Sequence, residues 1–213
     1  MQTRRVAAIA LLALSGAALG FATARTASGL QPAAALTAAS TGALAPATYE
    51  VDNVHSSVVF RIQHVGVGRF YGRFNELRGT FAFDPESGEL SSIDMSIPVD
   101  SVDTNNVQRD EHLESPDFFD AAQFPTISFR STSIEKDDDE YEVKGELTLH
   151  GQTHPIEVEL EWLGTAEVRG NEVAGFEAKF RIDRTRWGMT KYTEGAIGRE
   201  VDLIVSVEAV RQK

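Results

Sequence analysis

The 213-residue sequence contains no cysteine. Disulfide bonds, thiolate metal ligands and thiol nucleophiles are therefore excluded, and an exported domain must be stabilised by its core alone. No GxSxG elbow, Walker loop or HExxH motif is present either. Basic side chains are few, with 20 Lys and Arg against 32 Asp and Glu, which gives a net charge of −12. Such a surface repels phosphate backbones and anionic headgroups, so we expect no nucleic-acid partner and no electrostatic docking to membranes.

The N-terminal region has the pattern of a targeting segment. Arg4 and Arg5 precede an uncharged run, rich in Ala and Leu, over residues 6–24, and the run ends in the small residues Ala22-Thr23-Ala24. This pattern predicts a secretory signal peptide over residues 1–24. Its removal takes two arginines and no acid, which leaves a charge of about −14. An uncleaved membrane anchor is the alternative, although polar and Gly residues dilute the run.

Residues 25–46 consist of Ala, Thr, Ser, Gly and Pro with almost no large side chain. They cannot bury enough apolar surface to offset the entropy of ordering, so they predict a disordered linker. Residues 47–213 have the size of one domain with a real core. We expect a periplasmic or secreted protein that has no stable membrane insertion once the signal peptide is cleaved.

Apolar and polar residues alternate throughout residues 47–213, and no helical periodicity of any length is present. Between residues 156 and 162, Ile156, Val158, Leu160 and Trp162 alternate with three glutamates. Alternation of this kind predicts strands with one buried face. About eight strands are indicated, and an additional, weaker run lies around Gly72. The runs are 58–63, 70–74, 81–83, 93–99, 127–129, 141–149, 156–162, 176–183 and 201–207.

Parallel sheets need helical crossovers and bury both faces, and neither feature is visible here. The strands therefore predict an antiparallel barrel or sandwich. Glycines inside strands, at Gly72, Gly79 and Gly145, suit the tight bends of a closing barrel. We predict an all-β fold with eight antiparallel strands closed into a barrel. Such a barrel holds either packed side chains or one small ligand, and strand parity does not distinguish the two.

One segment, residues 101–123, departs from the strand pattern. Asp103 and Thr104 are good N-cap residues before a helix-compatible run over residues 106–113. Ser115-Pro116-Asp117 has the pattern of a second helix start. Phe118 and Phe119 follow directly. We predict a short helical insertion over one barrel end, which serves either as a lid over a cavity or as a plug that caps the core.

Five histidines are present, at positions 55, 64, 112, 150 and 154. His64 continues the inward parity of its strand, so it is either a hydrogen-bond donor to a headgroup or a histidine satisfied at the edge of the core. His150 and His154 flank a predicted turn and could approach each other, but they lack the further ligands that a metal needs. We expect no metal site and no catalytic residue.

The run over residues 52–64, DNVHSSVVFRIQH, resembles the opening of the YceI-like family. The resemblance implies a lipocalin-like barrel with a long isoprenoid chain in its lumen, export from the cytoplasm and no assigned catalytic activity. It continues in order through nearly the whole domain. The further matching runs are 72–74 (GRF), 79–85 (GTFAFDP), 101–105 (SVDTN), 109–113 (RDEHL), 117–120 (DFFD), 124–129 (FPTISF), 145–151 (GELTLHG), 187–189 (WGM) and 200–201 (EV).

Together these observations predict a protein that binds, carries or stores a polyisoprenoid or quinone-like lipid in the lumen and needs no other cofactor. Two alternatives stay open: an exported interaction module with a packed core, and an enzyme that acts on a bound lipid through His64 or His112. Parity and the insertion predict the ligand-binding residues, which are Phe60, Ile62, His64, Phe81, Phe83, Phe118, Phe119, Phe129, Leu147, Leu149, Val158, Leu160, Phe176 and Phe180.

Overall fold

The computed structural model describes residues 46–138 and 140–213. The predicted signal peptide, and all of the predicted linker except Pro46, lie outside the described residues. One α-helix is described, α1 (Val107–Glu114), with two short 3-10 turns at Val99–Ser101 and Arg184–Trp187. The strands are β1 (Ala47–Val51), β2 (Ser57–His64), β3 (Gly68–Phe74), β4 (Arg78–Asp84), β5 (Glu89–Pro98), β6 (Val102–Asp103), β7 (Thr126–Asp137), β8 (Glu140–Leu149), β9 (Gln152–Val168), β10 (Asn171–Asp183) and β11 (Ile197–Arg211).

Eight of the strands form a closed antiparallel ring in the order β1-β4-β5-β7-β8-β9-β10-β11. The ring closes because β1 pairs on both sides, with Tyr49 opposite Phe81 of β4 and opposite Arg211 of β11. The prediction of an eight-stranded antiparallel barrel is confirmed. Closure pairs β1 with both of its neighbours, and strand alternation then places every second side chain inside.

A second group of strands extends one side of the ring. The long strand β11 pairs with β1 through its last residues and with β2 through residues 197–206, so β1 and β2 share one edge of β11. Strand β2 continues to β3, and β6 adds only the pairs Arg73 with Asp103 and Phe74 with Val102. Strands β1 and β6 were not predicted from the sequence, because their five and two residues are too few to show alternation.

The glycines inside two strands leave room for inward-pointing rings. A Cβ atom on Gly72 would lie 2.2 Å from Cζ of Phe60, and one on Gly145 would lie 2.4 Å from Cζ of Phe129. Each ring therefore lies over the backbone of a neighbouring strand. The tight bends expected at these glycines stay a prediction.

The insertion contains one helix and not two. Asn106, and not Asp103 or Thr104, caps α1, and its side chain accepts a hydrogen bond from the backbone N–H of Arg109. The prediction of a second helix at Ser115 is wrong, because that residue ends α1 and turns follow it. The N–H groups of residues 119 and 121 donate to carbonyls of the last turn of α1, which folds the chain back on the helix. Within the described ranges, no helix has the length and hydropathy of a membrane span.

Candidate ligand-binding site

The barrel interior holds a cavity of about 420 Å³. Its wall is formed by the inward faces of β2, β3, β5, β7, β8, β9, β10 and β11, together with side chains from α1, the residues after it and the segment between β10 and β11. Twelve of the fourteen predicted residues lie on this wall. They are Phe60, Ile62, His64, Phe118, Phe119, Phe129, Leu147, Leu149, Val158, Leu160, Phe176 and Phe180.

The two remaining predicted residues, Phe81 and Phe83, do not line the cavity. The ring of Phe81 stacks on Tyr49 at 5.1 Å between centroids and lies 4.5 Å from Phe176. The ring of Phe83 stacks on Trp162 at 4.1 Å. These aromatic rings fill one end of the barrel, so residues of inward parity there become core. The five residues Tyr49, Phe81, Phe83, Trp162 and Phe176 are called the closed end below.

The other end, called the mouth below, is bordered by α1, residues 115–121 and residues 188–197. Asp117 joins two of these segments: its carboxylate lies 3.1 Å from Nε2 of His112 and 3.0 Å from Nζ of Lys191. Hydrogen bonds from His112 and then Lys191 hold the pKa of Asp117 below its ordinary value. The ring of His112 also lies 5.1 Å from Phe118 and 6.2 Å from Tyr192.

Phe118 and Phe119 both border the cavity at the mouth. Phe118 is buried, and Phe119 packs against Phe74 with 5.7 Å between ring centroids. The two rings bound an empty space rather than fill the lumen, which fits the lid interpretation better than the plug. The segment that carries them consists of turns, so its position depends on the contacts of Asp117 and on its hydrogen bonds to α1.

Polar groups are few on the wall, and they gather near the mouth. His64 ends β2 opposite Gly68 and Ile197, where it is exposed and borders the cavity. Two arginines that were not predicted from the sequence, Arg109 and Arg184, also border it. Arg184 lies two residues after Ile182 and continues the inward parity of β10. Extending the alternation of β10 by two residues would therefore have predicted it. Arg109 lies on α1, where no strand parity applies.

Arg184 is only 3% exposed, and its guanidinium donates to backbone carbonyls. The Nε–H donates to Gly198 at 2.9 Å, Nη1 to Met189 at 2.6 Å and Nη2 to Lys191 at 2.8 Å. Burial lowers the pKa of Arg184, and the charge of Asp183 opposes that shift. These bonds fix the loop that leads from β10 to β11 across the mouth.

Arg109 is exposed and lies over a cavity-lining ring. Its guanidinium carbon is 4.3 Å from the centroid of Phe70. Its Nε–H donates to the Thr104 hydroxyl at 2.8 Å and its Nη2 to the Thr104 carbonyl at 2.7 Å. These contacts hold the guanidinium at the edge of the cavity, because they engage its Nε and Nη2 atoms and its face.

The remaining histidines do not assemble a metal centre with the cavity. Nδ1 of His150 lies 2.9 Å from the carbonyl oxygen of Trp187, and the ring of His154 packs edge-on against Trp187. Within the described ranges, the one group with converging ligand atoms is Asp52, His55 and Glu208. His55 is exposed there, and its hydrogen bond to Asp52 raises its pKa.

The antiparallel barrel is closed, filled at one end, and hollow and apolar at the other. A protein of this class can hold one small apolar molecule. Residues 49–209 match the model of the YceI-like domain. The protein YceI of Escherichia coli O157:H7 is 41% identical over 177 residues, which cover 82% of this chain and 92% of that protein. The chain therefore belongs to the YceI-like family.

Solved structures agree with the assignment. The crystal structure of the Campylobacter jejuni YCEI protein is 30% identical, with a TM-score of 0.65, and the match covers 71% of this chain and 90% of that chain. A polyisoprenoid binding domain from Saccharophagus degradans is 15% identical, with a TM-score of 0.62 and coverage of 77% and 98%. The likeness to the Saccharophagus domain shows the fold alone.

Proposed function

We propose that this protein binds, carries or stores a long apolar or amphipathic lipid, of polyisoprenoid or quinone-like type, in its barrel cavity. The observation that carries the proposal is an empty apolar cavity of about 420 Å³ inside a closed barrel. Ligand pockets of roughly 300–1,000 Å³ are typical for small molecules. The Saccharophagus domain with the same fold is described as polyisoprenoid binding, which supports this ligand class.

The physical basis is burial of hydrocarbon. Each methylene group that leaves water contributes about 0.8 kcal/mol. A tail of about ten carbons would contribute roughly 8 kcal/mol before the entropy of association is subtracted. An interaction module with a solid core is not favoured, because the interior contains the cavity.

Catalysis is not part of the proposal. The hydroxyl groups on the described cavity wall belong to Ser128 and Tyr192, and neither makes a hydrogen bond to a histidine there. A His-dependent enzyme would show turnover of candidate lipids with a transition near neutral pH. We expect no turnover at any pH.

Export to the periplasm or the medium is also a proposal, which rests on the signal-peptide pattern in residues 1–24. The acidic surface supports the proposal of no nucleic-acid partner. Cell fractionation of the full chain, with its own N-terminus, tests the location. An exported protein appears in the periplasm or medium with residues 1–24 removed, whereas an anchored one stays in the membrane fraction at full length.

The binding proposal is tested by native mass spectrometry of protein purified from its own compartment, followed by organic extraction. We expect a mass excess that extraction removes and that corresponds to an isoprenoid lipid. Ala178→Phe, on the cavity wall, should reduce the retained lipid at least tenfold, because the new ring occupies the lumen. The matched control is Ala82→Phe, between the inward residues of β4 and absent from the wall, which should retain lipid as the parent does. Parent protein without any extractable apolar ligand contradicts the proposal.

A further inference from the structure

The turn between β2 and β3 exposes two valines beside the mouth. Val67 is 90% exposed and Val65 is 50% exposed, although both side chains are apolar. The N–H of Val65 donates to the carbonyl of Ala196 at 2.8 Å, which joins this turn to the loop that borders the mouth. In that loop Tyr192, which lines the cavity, is 46% exposed. Val65, Val67 and Tyr192 are called the apolar rim below.

We propose that the apolar rim inserts into the surface of an electrically neutral phospholipid bilayer, so that the mouth faces the membrane while a lipid is loaded or released. A lipid that passes between the cavity and a docked bilayer avoids exposing its hydrocarbon to water. Such docking rests on the proposed function for its purpose, but contact between the rim and a bilayer can be measured without any ligand.

Backbone strain marks two of the three rim residues. Val65 has φ of 42° and Tyr192 has φ of 58°. A β-branched residue is a genuine outlier in this left-handed region, which Gly, Asn and Asp adopt readily. The other described non-glycine residues with positive φ are polar or charged: Asn105, Asp120, Asp138, His150 and Arg169. Burial inside the protein does not account for a valine at position 65, because half of that residue is exposed.

The hairpin that carries the two valines differs in charge from the rest of this acidic chain. Residues 53–75 contain three arginines and neither Asp nor Glu. Two of the arginines pair with carboxylates of β11 and β6. Arg69, two residues after Val67, makes no ion pair with any residue that the structure describes. Because acidic groups are repelled by headgroup phosphates, an acid-free hairpin can approach a bilayer more closely than an acidic surface can.

The contact depends on apolar insertion rather than on net charge. Glu194 lies two residues after Tyr192 and is exposed, and Lys191 is already paired with Asp117. Among the described residues, the unpaired charges nearest to the rim in the sequence are therefore Arg69 and Glu194, which cancel each other. A rim without excess positive charge does not select an anionic membrane, so a neutral bilayer is the surface that it fits.

A bilayer also fits the apolar rim better than a protein partner does. The turn protrudes, since a Cβ atom on Gly66 would have no heavy atom within 4 Å apart from its chain neighbours. Specific protein interfaces bury about 800 Å² on each partner, and three side chains on a turn and a loop offer much less. Valine side chains leave water readily, and a tyrosine ring with its polar hydroxyl suits the boundary between lipid and water.

Docking is tested by flotation of phosphatidylcholine vesicles with protein purified from its own compartment. We expect the parent to float with the vesicles and Val67→Asp to reduce the bound fraction about tenfold, because a carboxylate opposes insertion into hydrocarbon. The matched control is Val54→Asp, in an exposed turn (83%) that precedes the opposite end of β2. The control should change the bound fraction by less than about twofold, because that turn does not meet the bilayer.

Val65→Asn separates the role in docking from any role in stability. Asn tolerates a left-handed backbone, so this variant should melt about 2–4 °C higher than the parent. It should also bind vesicles about fivefold more weakly, because an apolar side chain has been removed from the rim. A stabilised variant that floats as the parent does would overturn the role of Val65 in docking.

Transfer of a bound probe tests the purpose of docking. A fluorescent apolar probe in the cavity should move to phosphatidylcholine vesicles at a rate that rises with vesicle concentration. Val67→Asp should slow this transfer about tenfold and leave retention without vesicles unchanged, since Val67 is not on the wall. A rate independent of vesicle concentration overturns the inference and leaves lipid binding intact. A probe that never binds contradicts the proposed function, and flotation then decides docking alone.

Two further results would overturn apolar docking to a bilayer. Flotation that is abolished by about 0.5 M NaCl would be electrostatic, because salt screens charges and does not weaken apolar insertion. Absence of flotation, together with self-association that Val67→Asp abolishes in sedimentation, would assign the apolar rim to a contact between two copies of the chain.

Discussion

The closed end and the mouth of the barrel are built from the same alternating strands, yet one is solid and the other hollow. Large rings meet at the closed end, where Phe83 and Trp162 stack at 4.1 Å and Phe81 and Phe176 lie 4.5 Å apart. Aliphatic residues from β5, β8 and β11 face the cavity, and phenylalanine rings such as those of Phe129 and Phe180 border it without filling it. Inward parity therefore selects which side chains enter a barrel, and the way those side chains pack against one another decides whether space remains.

The largest expected effect is a loss of stability at the closed end. Phe81→Ala should lower the free energy of unfolding by about 3–5 kcal/mol, because a buried ring leaves a cavity that its neighbours cannot fill. Phe180→Ala on the cavity wall should cost clearly less, since that ring is only half-buried and already borders empty space. Urea denaturation measures both. Equal losses would mean that the two ends are packed alike.

A smaller loss is expected where Phe60 lies over Gly72. Gly72→Ala should destabilise the protein by about 1–3 kcal/mol, because the added methyl group would overlap the Phe60 ring and force it to move. Gly68→Ala is the control on the same strand, since its new Cβ would have only one backbone atom nearby, at 3.9 Å. Thermal unfolding of the two variants separates steric effects from general effects of replacing glycine. A stable Gly72→Ala variant would show that the Phe60 ring moves freely.

At the mouth, substitutions should change the rate of ligand exchange. The double variant Phe118→Ala with Phe119→Ala should shorten the retention time of a bound lipid about tenfold, since removing the two rings opens the cavity to water. A fluorescent apolar probe, released into excess vesicles, reports the rate. Unchanged retention with a folded barrel would show that the segment is not a lid.

The smallest effect concerns the pH dependence of the contact at Asp117. Because His112 and Lys191 lower its pKa in the folded protein, the ionised carboxylate stabilises the fold above its unfolded pKa of about 4. That contribution is lost as the pH falls through the lowered pKa. Asp117→Asn should therefore show a flatter decline in melting temperature below about pH 4 than the parent. Parallel declines would mean that the contact does not form in solution.

Much of the fold could be predicted because alternation over seven or more residues is a property of the chain alone. The runs in β8, β9 and β10 showed this alternation clearly. The antiparallel arrangement could also be predicted, because each strand has one polar face. The short strands β1 and β6 gave no such signal. The second helix at Ser115 was predicted from local capping residues. Instead, this segment forms turns, and its backbone N–H groups donate hydrogen bonds to the end of α1.

The candidate site was predicted less completely than the fold. Parity located the wall residues such as Phe129 and Leu147, because inward direction repeats every second residue. Parity did not indicate that Phe81 lies at the closed end, where aromatic rings fill the barrel, because that depends on side chains from other strands. Arg109 was missed because a helical position carries no information about which barrel end it will reach.

By itself, the sequence determined the strand faces, the antiparallel barrel, the family and the acidic charge, since each follows from residue types at short spacing. The tertiary structure decided that the barrel is filled at one end and hollow at the other, and that two arginines border the cavity. Those features depend on side chains distant along the chain that meet at one level of the barrel, where volume and charge add up in three dimensions.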